Sequence, residues 1–307
     1  MKNVTSAEIA WLAANPSNYR VDVLEMTLPN GQTLRAALGG ADVIWSGATY
    51  PATANGAWER GAVESEAMFE LGSKSVTLNV VAAAGVNYPG TTVEMASSFI
   101  NGAWDGATVT LTTLYAPFGQ WNNWQVSMVL FGGMVSQLER TGRSKATLTV
   151  QDWLYLANLQ VPMRIIQPSC FATFGDNRCT FVLSAIGIAN TVGAGSTAVE
   201  IIPASAWPAA DSRGNSITGS FSGQNYFDSG KIAWTSGNNA GFTSHVQSQL
   251  TGGDLVLTAP TLFPMATGDA FTAYAGCSKQ LSDCKQRWAN QANFAGFPFV
   301  GVPENAF

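Results

Sequence analysis

The chain has 307 residues, of which 15 are Lys or Arg and 20 are Asp or Glu, giving a net charge of −5. Charged residues make up 11% against about 25% in an average domain. No basic stripe is present to neutralise phosphates, so nucleic-acid binding is not expected. The 46% hydrophobic content argues against disorder, a length prior of roughly 150 residues per domain gives about two domains, and the uncharged surface suits burial against other subunits.

No run approaches about 18 consecutive apolar residues, so no membrane span is expected. The first eight residues lack a basic start followed by an apolar core, so maturation in a reducing cytoplasm is expected. Thr5 and Glu8 have capping-box spacing, and Ile9, Leu12 and Ala13 supply an apolar face, which predicts a helix over about 5–14. Residues 21–28 alternate, Pro29-Asn30-Gly31 is a turn signal and 32–38 resumes the strand, the clearest hairpin in the chain. Further strands are predicted at 75–81, 107–115, 124–138 and 145–150, with helical pieces of about two turns at 95–101 and 152–159. The N-terminal half therefore reads as an antiparallel barrel or sandwich.

Two prolines in the segment 161–168 fix extended backbone, and a domain boundary is placed there. Strands return at 198–202, 232–234, 244–250 and 254–259 as a second β unit. Residues 280–290 read as helix. The tail over 294–303, rich in Phe, Gly and Pro, is an extended apolar arm that needs a surface to pack on.

All four cysteines lie in the second half, in two pairs: Cys170 and Cys179 with eight residues between, Cys277 and Cys284 with six. Turn residues flank Cys170, Cys179 and Cys277. Four thiolates suit tetrahedral zinc or an iron–sulfur cluster. Structural zinc knuckles usually space their ligands by about two to four residues, and the wider spacings here count modestly for a cluster. Arg178, Lys279, Lys285 and Arg287 are candidates to offset its negative charge. Two disulfides, or four inert buried thiols, are the alternatives.

The segments Gln167-Pro168-Ser169-Cys170, Phe174-Gly175-Asp176-Asn177-Arg178-Cys179 and Gly276-Cys277-Ser278-Lys279, with Cys284, resemble the tail-tip or baseplate hub proteins of long-tailed, non-contractile phages and of gene transfer agents. Residues 227–241, Gly268-Asp269, Trp288-Ala289-Asn290 and 293–298 are similar to that family's C-terminal region. The resemblance covers about 160–300; the N-terminal half agrees in length and β character. It implies a structural protein of the virion tail tip, not an enzyme, assembled in the host bacterial cytoplasm. It would be a homo-trimer linking the distal tail protein to the central fibre.

Family members related to the lambda tail-tip protein carry a [4Fe–4S] cluster on cysteines with the same two spacings. The resemblance thus implies a cluster on Cys170, Cys179, Cys277 and Cys284, with zinc as the alternative. The lambda-type proteins bring the pairs much closer in sequence, whereas here the β unit at 180–276 stands between them, as in the gene-transfer-agent type. The expected fold is mainly β with few short helices. An N-terminal barrel or sandwich domain occupies 1–160. A cysteine-cluster domain built from 161–179 and 277–307 carries the inserted β-barrel-like domain at 180–276.

Other chemistry is less well supported. The single histidine, His245, sits in an alternating segment and reads as a solvent-facing strand residue, and no Gly-x-Ser-x-Gly elbow accompanies it. Gly72-Ser73-Lys74-Ser75 lacks the spacing of a phosphate loop. Glu59, Glu64, Glu66 and Glu70 read as a solvated loop. Trp121 and Trp124 are core or interface anchors, or a sugar platform. A four-cysteine redox or zinc protein and a carbohydrate-binding β module are the competing readings.

Overall fold

In the computed structural model, which describes residues 5–52, 57–60, 75–140, 142–153 and 166–299, Thr5 caps the first helix as its spacing predicts. The Glu8 carboxylate accepts the Thr5 N–H at 2.7 Å, and Thr5 Oγ1 accepts the Glu8 N–H at 3.3 Å. The helix, α1 (Ser6–Ala14), fully buries none of its residues; on its apolar face Ile9 is 59% exposed and Leu12 half-buried. By contact, the chain separates into two units, Met1–Leu159 and Gln160–Phe307. The protein is mainly β, with one nearly closed barrel-like sheet and one half-barrel sheet.

The first unit contains β1 (Asn18–Thr27), β2 (Thr33–Ala37), β3 (Val43–Trp45), β4 (Ala48–Tyr50), β5 (Ala57–Arg60), β6 (Ser75–Val81), β7 (Thr108–Pro117), β8 (Val126–Arg140) and β9 (Lys145–Asp152). Seven of these form an antiparallel sheet in the order β2-β1-β7-β8-β9-β6-β5, and β3 pairs with β4 as a separate hairpin. The β1–β2 turn forms as expected: Gly31 takes φ +82, which only glycine adopts without strain, and Thr27 pairs with Thr33. Leu24, Met26, Leu34, Leu78, Tyr88, Met95 and Trp104 are fully buried. A second cluster of Val21, Val23, Ala37, Val43, Tyr50 and Leu114 has Trp45, Ala48 and Trp124 packed against it.

The helical piece expected at 95–101 shortens to one turn, α2 (Met95–Ser98). Residues 154–159 of the one expected at 152–159 lie outside the described residues, as do 161–165 of the proline-bearing segment.

The second unit carries β10 (Ile188–Thr191), β11 (Glu200–Ile201), β12 (Ser220–Phe221), β13 (Gln224–Asn225), β14 (Lys231–Trp234), β15 (Thr243–Gln249), β16 (Leu255–Leu257) and β17 (Ala270–Tyr274). Six form an antiparallel sheet in the order β10-β17-β14-β15-β16-β11, and β12 and β13 make a two-stranded ribbon. Strands β10 and β17 escape the sequence pattern because each is short and three residues of each are only partly buried. Rings at centroid separations of 4.6–6.3 Å run from Phe181 through Trp288, Tyr226, Phe227, Trp207 and Phe271 to Trp234. The helix predicted at 280–290 covers only α3 (Leu281–Gln286). Ala289, at φ +49, has already left helical geometry. Among the described residues no helix is long and apolar enough to cross a membrane.

Candidate metal centre

Three of the four cysteines occupy irregular backbone, as their flanking turn residues predict, and Cys284 lies on α3. Although the pairs are about a hundred residues apart, all four line one cavity, together with Ala172, Phe174, Lys279, Gln280 and Trp288. None is in a disulfide. Among the described residues no group of three or more His, Cys, Asp or Glu is arranged to hold a metal ion as the side chains stand.

Each loop is built for its position. In the first, the Asp176 carboxylate accepts the N–H groups of Thr173, Arg178 and Cys179 at 2.7–3.0 Å. These bonds, that from Cys179 foremost, hold its carboxyl below the usual range. In the second, a Cβ on Gly276 would overlap the carbonyl of Asp228, so only glycine lets the chain enter Cys277 there. Asp283 Oδ2 accepts both the N–H and the hydroxyl of Ser278, at 2.9 and 3.1 Å, which ties the Cys277 loop to α3.

Lys279 joins the two loops. It adopts φ +63, its carbonyl accepts the Cys170 N–H at 2.9 Å and its ammonium donates to the Ala172 carbonyl at 2.5 Å. Two sulfurs also receive N–H donors: Ala295 N–H reaches Cys170 Sγ at 3.4 Å and the Asn290 amide reaches Cys179 Sγ at 3.5 Å.

Burial pushes the Cys277 and Cys284 thiols up to about 11, and the neighbouring cysteines add to the rise at both. Such thiols are protonated at neutral pH and give up protons when a metal binds. Of the four basic neighbours, Lys279 lines the cavity and its charge favours the Cys277 thiolate. Arg178 and Lys285 are exposed. Arg287 is buried but faces Asp283 at 3.9 Å and packs over the Tyr226 and Trp288 rings, so it serves the aromatic core. Four thiol donors with N–H groups aimed at two of them are a soft-ligand set that fits zinc or iron–sulfur.

The other singled-out residues do not join this site. His245 is exposed on β15, as expected. Glu59 is exposed, while Glu64, Glu66, Glu70 and Gly72-Ser73-Lys74 fall outside the described residues. Trp121 and Trp124 pack edge to face at 5.1 Å, and their indole N–H groups are spent on the carbonyls of Asp42 and Ile44. Lys279, as a loop-to-loop tie, and Asn290 and Ala295, as sulfur donors, were not assigned these parts by sequence reasoning. Lys279 was singled out there only as a basic neighbour, and Asn290 and Ala295 only within segments similar to the family's C-terminal region.

Residues 6–182 match the family model described as baseplate hub protein, N-terminal attachment domain. The chain belongs to the baseplate hub protein family. That match covers the N-terminal half, where the sequence offered only length and β character, and it reaches past the first cysteine pair of this hub protein. Residues 225–304, with the second pair, match the phage conserved hypothetical protein BR0599 family. No curated protein matches the chain. Among solved structures, a chain of the "Virion of native gene transfer agent (GTA) particle" shares the fold at TM-score 0.75 and 19% identity. The match covers 95% of this chain and 93% of that one.

Proposed function

We propose that this chain is a non-enzymatic structural component of a virion tail tip, stabilised by a [4Fe–4S] cluster held by Cys170, Cys179, Cys277 and Cys284. One observation carries the cluster reading: two cysteine pairs from distant segments of a hub-family chain line one cavity. The virion role is supported by the family match and by the fold shared with a chain of a gene transfer agent particle. When bound, the cluster supplies cross-links, and binding free energy at a site absent from the unfolded chain is folding free energy. Four thiolates saturate the centre, as at structural or electron-transfer sites.

The chain's own residues do the rest. Lys279 sets one cysteine loop against the other, Asp176 shapes the first loop, and Ala295 and Asn290 present N–H groups to sulfur. We further infer a homo-trimer between the distal tail protein and the central fibre, assembled in the host cytoplasm, and light scattering of the purified chain tests the stoichiometry.

The deciding experiment for the cofactor is anaerobic purification with iron, zinc and sulfide analysis. About four irons and four sulfides per chain are expected. One zinc would keep the four-cysteine site and overturn the cluster; neither metal would overturn both.

A further inference from the structure

We propose that Asn290 is a positioning residue that latches the C-terminal arm, residues 290–297, over the cysteine cavity, making this arm the gate through which metal and oxidants reach the thiols. Asn290 holds three things at once. Its side-chain amide donates to the Cys179 carbonyl at 2.6 Å and to Cys179 Sγ at 3.5 Å. Its Oδ1 accepts the Asn293 amide at 2.8 Å, and its backbone N–H donates to the Cys284 carbonyl at 2.8 Å.

Beyond Asn290 the arm lies along the first cysteine loop. Phe171 N–H donates to the Ala295 carbonyl at 3.3 Å, Ala295 N–H to Cys170 Sγ at 3.4 Å, and Phe297 N–H to the Gln167 carbonyl at 2.9 Å. At Gly296 the arm passes so close to the loop that a Cβ would stand 2.7 Å from the Ser169 carbonyl oxygen. Asn290, Asn293 and Phe294 form one wall of the cavity.

Yet no residue from 289 to 299 is buried. Little apolar burial holds the arm, so a few hydrogen bonds decide whether it is closed, and such a segment opens locally at low free energy. The second loop has mountings outside the arm, the Asp283 carboxylate and α3, besides the Lys279 tie to the first loop. Opening the arm therefore uncovers Cys170 and Cys179, which lose their N–H donors, and takes from the second loop only the Asn290 bond to the Cys284 carbonyl.

The latch does not depend on which metal is present; only its role in guarding a cluster rests on the reading above. The test is timed iodoacetamide alkylation of the anaerobically purified full chain, with each cysteine followed by peptide mass spectrometry. The variants are Asn290→Asp, which keeps the shape and removes the donor, and Gly296→Ala, which prevents the arm from seating.

Both variants should alkylate Cys170 and Cys179 about tenfold faster than the parent, with smaller changes at Cys277 and Cys284. The melting temperature should fall by no more than about 4 °C. Where iron is present, its release to a chelator should quicken by the same factor. Acceleration at Cys179 alone would reduce Asn290 to a local donor and overturn the latch. Equal acceleration at all four with a large drop in melting temperature would mean that the whole unit had loosened, and would overturn it too. Absence of iron with the Cys170 and Cys179 pattern intact would keep the latch and remove the cluster.

Discussion

The carbonyl of Lys279 accepts the backbone N–H of Cys170 at 2.9 Å, so a residue of the second cysteine loop sets the register of the first. The same residue stands at φ +63, where a side chain costs about 1 kcal/mol or more. Its ammonium bond to the Ala172 carbonyl offsets part of that cost. Lys279→Met keeps the aliphatic stem and loses this bond. It should destabilise the second unit by about 1 kcal/mol and lower its melting temperature by about 2–4 °C in calorimetry. An unchanged midpoint would show that the ammonium contributes nothing there.

Trp288 is 1% exposed and packs on Phe174, Phe181 and Tyr226, with the Arg287 guanidinium over its ring at 4.7 Å. It joins the cysteine cavity to the core under the β10–β17 sheet. Trp288→Ala should cost about 3–5 kcal/mol, read as a lowered urea midpoint. A loss below about 1 kcal/mol would mean that the aromatic chain is not a shared core.

Asp211 gives a pH dependence. Burial alone would raise its carboxyl, but bonds from the Asn215 side chain and N–H, the Tyr226 hydroxyl and the Arg213 N–H hold it below the usual carboxylate range. A lowered folded-state value contributes stability that is present above the unfolded value, about 3.9, and is lost as pH falls through the folded one. Hydrogen exchange should therefore show the 211–215 loop loosening below about pH 4. Asp211→Asn should remove that pH dependence and lower stability at neutral pH by about 1 kcal/mol. The same acid response in the variant would assign the effect to another group.

Cys284→Ala removes one of four sulfurs from the cavity. If metal binding is folding free energy, the variant should lose bound metal and most of its soluble yield, measured by metal analysis of the soluble fraction. Full yield with no metal would show that the site is dispensable for folding.

Local features were legible in the sequence because their causes are local. The Thr5–Glu8 box, the Pro29-Asn30-Gly31 turn and the alternating runs of β6 and β9 are each set within a few residues, and they appear where expected. The short strands β3, β4, β10 and β17 were not legible. Three to five residues carry too little periodicity. Strands β10 and β17 are held by partners elsewhere in the chain, whereas β3 and β4, three residues each, pair with one another across Ser46-Gly47.

The site divides in the same way. Cysteine count and spacing, with the turn residues around them, follow from the sequence by itself, as do the low charge and the absence of a basic stripe. Only the tertiary structure decides that both pairs face one cavity, that Lys279 rather than Arg178 or Lys285 stands at it, and that the tail arm lies across Cys170 and Cys179. Those outcomes depend on contacts between segments about a hundred residues apart. Such contacts are set by how the intervening β unit returns its ends to one place, and no local pattern in the chain encodes that.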